Sequence, residues 1–318
     1  MEIQLLITNL TSPIVLAFAL GVIARLIKSD LDFPPALHSS LSIFLLLAIG
    51  LKGGVALSRV PFAELILPIS AILVGALITT FSAYIVARRV LKLNAMDAGA
   101  LSAHYGSVSA VTFIAAQQFA QRQFGEVDGV LTALLVVLEA PALVLGVVLA
   151  LGAKSRQELT FVASETVRGR TMVLLGGGMA IGFISGSDGV RTVSPMFLEL
   201  FQGVLMLFLL ELGMLAAKHL ADLKKIGFKL ALVAVVLPLL HGVLGVGLGV
   251  LAGLSTGGVA VMGAMLASAS YIAAPAAVRL ALPQANAGLC ITAALGITFP
   301  FNLALGIPLY AKLAAWWT

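Results

Sequence analysis

Few charges occur in this chain. Asp, Glu, Lys and Arg make up 10% of its 318 residues, against about 25% in a soluble domain, too few to clothe a water-exposed fold. Cysteine occurs once, at Cys290, which excludes an internal disulfide and a multi-cysteine zinc site. The four histidines show no metal-ligand spacing. Neither His-Glu-x-x-His nor Gly-x-Ser-x-Gly is present, so an intramembrane hydrolase has no carrier and no enzyme is expected. Gly176-Gly177-Gly178 and Gly245-x-Gly247-x-Gly249 follow no strand, so they are expected on close-packing helix faces rather than in nucleotide loops. Met1-Glu2 opens without a basic stretch, so insertion is expected to use the first span itself. The net charge of +5 and a pI near 9.5 are expected from Lys and Arg in cytoplasmic loops, not from a nucleic-acid surface.

Apolar residues are abundant. They make up 60% of the chain, mean hydropathy is +1.11, and the 49 residues from Leu230 to Val278 carry no charge. The fold class is therefore an all-α polytopic membrane protein. Ten spans are expected near 3–24, 33–51, 65–87, 98–121, 129–153, 171–187, 195–217, 230–252, 258–279 and 285–311. Loops after odd-numbered spans hold 14 of the 19 Lys and Arg, including Lys154, Lys224 and Lys225, so these loops face the cytoplasm and both termini the opposite side. The charged connector 154–170 divides the chain into 1–153 and 171–318, five spans each. An odd number of spans per half makes the halves inverted repeats, and Phe44 to Gly50 echoes Phe208 to Gly213.

The fourth and ninth spans each carry a hydroxyl-rich stretch at mid-depth: His104-Tyr105-Gly106-Ser107-Val108-Ser109-Ala110-Val111-Thr112, and Ala267 to Pro275. Ser109 lies 12 residues past Asp97, and Ser270 lies 12 past Gly258, a depth of about 18 Å in a core of about 30 Å. Both helices are expected to be interrupted there and to meet at the membrane centre. A helix that restarts offers free N–H groups and its positive dipole end, a pocket for a small anion without Lys or Arg. Hydroxyls of Ser107, Ser109, Thr112, Ser268 and Ser270, with freed carbonyls, also suit a hard cation such as Na⁺. Holding both ions offsets the desolvation each would suffer alone. The bland alternative is that these small residues only let helices approach closely.

Glu139 sits about ten residues into the fifth span, a depth at which a carboxylate is costly and usually functional. It is read as a cation ligand or proton carrier, or else as a brace for the Pro141 bend. Glu211 is read as snorkelled or paired, Lys52 as snorkelling to the outer surface, and His104 as the histidine closest to the fourth-span break. His38 and His219 are placed at membrane interfaces, and His241 on a carbonyl freed by Pro238. The substrate candidates are Gly106, Ser107, Val108, Ser109, Thr112, Ser268, Ala269, Ser270 and Tyr271. The coupling-ion candidates are Ser109, Thr112, Glu139, Ser270 and His104.

At these residues the chain resembles the sodium-dependent bicarbonate transporter family. The matching runs are Ile49 to Ala56, Gly106-x-Val108-Ser109-x-x-Thr112, Glu139 to Val144, Pro238-x-x-His241-Gly242, Ala267 to Arg279, Pro283-x-Ala285-Asn286 and Ile307-Pro308-Leu309. The resemblance implies ten helices in a five-plus-five inverted repeat with core and gate domains, and a homotrimer. It also implies Na⁺ and bicarbonate at the crossing of the fourth and ninth helices, elevator-like movement in the bacterial inner membrane, and a cytoplasmic regulatory protein in some members. No organic cofactor is expected; membrane lipid is the only other partner. Tyr271 stands where the family pattern has Asp, Ala269 and Ala273 stand for serines, and His104-Tyr105 for apolar residues. Proton-coupled carriage of a small organic anion, and a receptor or scaffold that transports nothing, are the rival functions.

Overall fold

The computed structural model describes residues 2–125, 127–152, 156–220 and 227–318. Lys154, Lys224 and Lys225, and the start of the 154–170 connector, lie outside them. All regular structure among the described residues is helical: α1 (Glu2–Leu10), α2 (Pro13–Leu26), α3 (Pro35–Leu57), α4 (Phe62–Arg89), α5 (Ala95–Gly106), α6 (Ala110–Phe124), α7 (Leu131–Leu151), α8 (Arg156–Arg168), α9 (Arg170–Arg191), α10 (Phe201–Leu220), α11 (Phe228–Leu251), α12 (Thr256–Leu266), α13 (Ala273–Ala281) and α14 (Ala287–Trp317). Among these residues seven helices (α3, α4, α7, α9, α10, α11 and α14) are long and apolar enough to cross a membrane, and α2 and α12 are apolar but shorter.

Short helices occur where the first, fourth and ninth spans are expected, and each restarts on a serine. Ser12 Oγ accepts the Val15 N–H, Ser109 Oγ that of Thr112 and Ser270 Oγ that of Ala274. The break in the first span departs from the single helix expected over 3–24. Its cause is Pro13, which has no N–H, crowds the carbonyl of residue 9 and holds Ser12 extended (φ −66°, ψ 142°). The tenth span runs to Trp317 rather than stopping near 311, through π-helical turns at Thr292–Thr298 and Asn302–Gly306. Such turns accommodate Pro300 and Pro308. Pro308 cannot bond the carbonyls of Ala304 or Leu303; Asn9 Nδ2 donates to both, at 3.2 and 2.8 Å.

The most extensive packing joins α3 to α9 and α2 to α10; α4 then packs on α5, α11 on α12, α5 on α7, and α12 on both α14 and α6. The α3–α9 contact is backbone-close because both faces carry glycine. A Cβ on Gly50 would lie 2.6 Å from the Leu175 carbonyl oxygen, and one on Gly182 2.2 Å from that of Leu51. Gly178 shares this face, whereas Gly176 and Gly177 meet open space, so only part of the expected glycine face is used.

Two carboxylates tie helix starts to distant loops. Asp97, in the first turn of α5, accepts the Asn286 N–H at 2.7 Å, and Asp128, before α7, accepts the Ser255 N–H at 3.1 Å. Asp128 Oδ2 lies where a Cβ on Gly258 would fall, 1.9 Å away. Gly258→Ala is therefore expected to destabilise the protein by about 1 kcal/mol, the low end for overpacking because a carboxylate can swing aside. A melting temperature in detergent equal to that of the parent protein would mean that Asp128 is not fixed there.

Candidate functional site

The ends of the two divided spans bond to each other. The segment 107–109 joins α5 to α6, and 267–272 joins α12 to α13. The Ser270 N–H donates to the His104 carbonyl at 2.8 Å, and the Ser109 N–H donates to Ser268 Oγ at 2.9 Å. Each connection thus donates across the junction, one to the other connection and one to the last turn of α5. Further bonds fix the shape: Ser268 Oγ donates to the Met265 carbonyl at 2.7 Å, and Asn302 Nδ2 to that of Ala267 at 2.7 Å. Tyr310 Oη in turn donates to Asn302 Oδ1 at 3.2 Å. Of the carbonyls left over where α12 ends, that of Ala267 is therefore satisfied from α14 and that of Met265 from within the connection.

A cavity of about 10 Å³ lies at this junction, lined by Val108, Ser109, Ser270, Tyr271, Glu139 and Thr171 together with apolar neighbours from α3, α7 and α13. It has room for a single water. The starts of α6 and α13 both reach it, through Ala110 and Ala273, so two positive dipole ends meet there. Glu139 comes from α7 and is 2% exposed, and its Oε2 has no hydrogen-bond partner. The Tyr271 hydroxyl lies beside Ser109 without a formed hydrogen bond, and its ring packs edge-on against Phe299 at 5.2 Å. The cavity thus combines helix-start donors, hydroxyl oxygens and one carboxylate, a donor set that suits a small anion beside a hard cation.

The other candidates occupy different places. Ser107 Oγ is buried without a partner, and Thr112 donates its N–H to Ser109 Oγ, the cap of α6. Ser268 bridges the two connections, with Ala269 buried beside it. Gly106 lies against α4, where a Cβ would fall 1.9 Å from Thr80 Oγ1. His104 offers its carbonyl to the junction. Its ring Nδ1 bonds the Ala100 carbonyl at 2.8 Å, so Nδ1 carries the proton, and Nε2 is buried without a partner.

Four details differ from, or refine, the sequence reading. His241 Nε2 meets Ser82 Oγ at 2.8 Å, and the carbonyl freed by Pro238, that of Ala234, is taken by Thr298 Oγ1 at 2.6 Å. Glu211 pairs with His38 Nδ1 at 2.8 Å across α10 and α3. Lys52 is exposed, in keeping with snorkelling, and also lines a cavity with glutamines of α6. Thr171, at the start of α9, lines the junction although nothing near it in sequence marks it.

A second, larger cavity of about 270 Å³ shares Glu139, Thr171, Ile272 and Ala273 with the first and opens past Arg168 and Arg170. Glu139 therefore stands between the junction and an aqueous opening on the connector side.

Comparison with known families gives a match over residues 13–315 to the family model described as the Na⁺-dependent bicarbonate transporter superfamily. No curated protein matches the chain.

Proposed function

The chain belongs to the Na⁺-dependent bicarbonate transporter superfamily, and from that premise we propose Na⁺-coupled symport of bicarbonate, or a similarly small anion, across the bacterial inner membrane. The observation that carries this reading is the reciprocal bonding of the two divided spans at Ser109–Ser268 and Ser270–His104. It brings two helix starts and the Glu139 carboxylate around one cavity, which at about 10 Å³ must widen before it holds both ions. The starts of α6 and α13 face the anion, with Ser109 and Ser270 as hydroxyl donors. Glu139 faces Na⁺ and supplies the negative charge that Tyr271 cannot supply where the family pattern has Asp. Ser109 and Ser270 oxygens complete the cation's shell. Each ion lowers the desolvation cost of the other, so the loaded site crosses the membrane more readily than a half-loaded one.

In this reading 1–153 and 171–318 are five-span inverted repeats joined by 154–170. Pairwise packing supports it: α2 on α10 mirrors α9 on α3, α4 on α5 mirrors α11 on α12, and α5 on α7 mirrors α12 on α14. The Asp97–Asn286 and Asp128–Ser255 ties mirror each other likewise. Helices α4–α7 and α11–α14 form the moving core and α1–α3, α9 and α10 the gate, with both termini periplasmic. The core travels like an elevator. The apolar outer face of the gate, including Ile184 at 83% exposure, meets lipid or further copies in a homotrimer. A regulatory protein, where one binds, docks on the connector side.

Uptake of labelled bicarbonate into proteoliposomes tests the proposal. An inward Na⁺ gradient is expected to drive accumulation, and indifference to both Na⁺ and bicarbonate overturns the substrate and the coupling together. The unpartnered Glu139 Oε2 favours one rival, proton-coupled carriage of a small organic anion. In that case a pH gradient drives uptake with Na⁺ absent. If the protein were a scaffold that moves nothing, Ser109→Cys would resist thiol reagents from both sides; buried Cys290 gives little background.

A further inference from the structure

The geometry points to an anion-capture site on the outer side of the protein, separate from the helix junction, in which Lys52 and a cluster of glutamines hold a singly charged oxyanion. The cavity there is about 140 Å³ and is lined by Lys52 of α3, Gln117, Gln118 and Gln121 of α6, Thr132 of α7 and Gln202 of α10, with apolar neighbours. Lys52 is the single formal charge among its lining residues. Among the described residues, neither Lys52 nor any of these glutamines makes a hydrogen bond within the protein. Lys52, Gln121 and Gln202 are exposed at the mouth, whereas Gln117 and Gln118 are half-buried, and Gln118 also borders a neighbouring cavity beside α1. Gln118 is the most telling: both of its amide atoms are shielded from solvent and unpartnered. Shielded amides without partners are uncommon because each forfeits its hydrogen bonds to water.

The chemistry selects the ligand. An ammonium attracts an anion, and the amide N–H groups donate to its oxygens. The Gln118 carbonyl, shielded and reached by no donor of the protein, can accept from a ligand hydroxyl or water. A protonated, singly charged oxyanion such as bicarbonate satisfies all three, whereas a dianion would be left with only one compensating charge. At about 30 Å³ per water the cavity holds roughly five waters, so the anion keeps part of its hydration and binds loosely.

Position gives the site a purpose, and here the inference rests on the transporter reading. Three helices carry one face from this cavity to the junction: Ile49 and Leu46 on α3, Ile114 and Ala110 on α6, and Thr132, Leu135 and Glu139 on α7. Spacings of three or four residues keep these on one side of each helix. The cavity therefore stands about one helical turn, ~5 Å, beyond the junction, on the side opposite the Arg168–Arg170 opening. A single positive charge in a low-dielectric mouth raises the local anion concentration and is screened by salt.

Gln202→Cys places a thiol in the cavity, and its reaction with anionic and cationic methanethiosulfonates applied from outside reads the local field. The anionic reagent is expected to react faster. Lys52→Gln should reduce the anionic-to-cationic ratio by about sixteenfold, about fourfold for each reagent at ~5 Å in water, and Lys52→Arg should retain it. Bicarbonate should slow the labelling more than chloride at equal ionic strength. In transport, Lys52→Gln should raise the half-saturating bicarbonate concentration severalfold. Equal rates for the two reagents, or a ratio unchanged by Lys52→Gln, overturns the capture site even where bicarbonate uptake is intact. A Lys52-dependent ratio with no bicarbonate uptake keeps the capture site and removes the proposed substrate instead.

Discussion

Glu139→Gln is expected to abolish the Na⁺ dependence of uptake while leaving the protein folded. Glutamine keeps the shape of the side chain and removes its charge, and no cationic side chain pairs with this carboxylate among the described residues. The substitution therefore costs little in the absence of ions. With Na⁺ bound, the site loses the one carboxylate that lines it. Removing one partner of a buried charge pair typically costs about 3–5 kcal/mol. At 1.4 kcal/mol per tenfold, the Na⁺ half-saturation constant should rise by roughly two to three orders of magnitude. Proteoliposome uptake against Na⁺ concentration measures this directly, with thermal stability in detergent as the control for folding. An unchanged half-saturation would remove Glu139 from the cation site. Loss of pH-driven rather than Na⁺-driven uptake would establish proton coupling in its place.

The second large effect is expected at Gly106→Ala. The added carbon would fall 1.9 Å from Thr80 Oγ1, 2.8 Å from Thr80 Cβ and 3.0 Å from its Cα. Rotating the Thr80 side chain cannot clear a backbone atom, so α5 must move away from α4, taking 107–109 with it. Overpacking of this kind costs about 1–3 kcal/mol, and as a displacement of the binding residues it should slow transport about 5- to 150-fold. Thr80→Ala removes the nearest atom and gives up only a bond to the Ala76 carbonyl within its own helix. It should be nearly neutral alone and, because alanine keeps the Cβ and Cα at 2.8 and 3.0 Å, should restore only part of the activity to Gly106→Ala. Losses that simply add in the double variant would show that Gly106 is not held at that distance by Thr80.

Much of this was legible in the sequence, for identifiable reasons. Hydrophobic runs reveal membrane helices because lipid demands them over a fixed length. The breaks at 107–109 and 267–272 were legible because the hydroxyl-rich stretches fall at the same mid-depth in both halves of the chain. Glu139 stood out because a carboxylate at that depth is costly. The break at Thr11-Ser12 was signalled by Pro13 but obscured by the apolar run around it. What stayed hidden is which face meets which. Periodicity places Thr171 and Lys52 on helices without saying what those faces pack against. Nor could spacing assign orphaned carbonyls to their donors, since Asn302 reaches back 35 residues to Ala267 and Asn9 reaches 294 residues forward to Leu303. His241 illustrates the limit: a neighbouring proline suggested a local bond, and its partner, Ser82, is 159 residues away.

The Asn9 bond also has a bearing on biogenesis. Its acceptors are the backbone oxygens of Leu303 and Ala304, which are synthesised 294 and 295 residues after it. At about 5–20 amino acids per second, the amide waits roughly 15 to 60 s for them. Throughout that interval α1 has its asparagine in the bilayer without its eventual acceptors, so this contact closes only once α14 has been inserted.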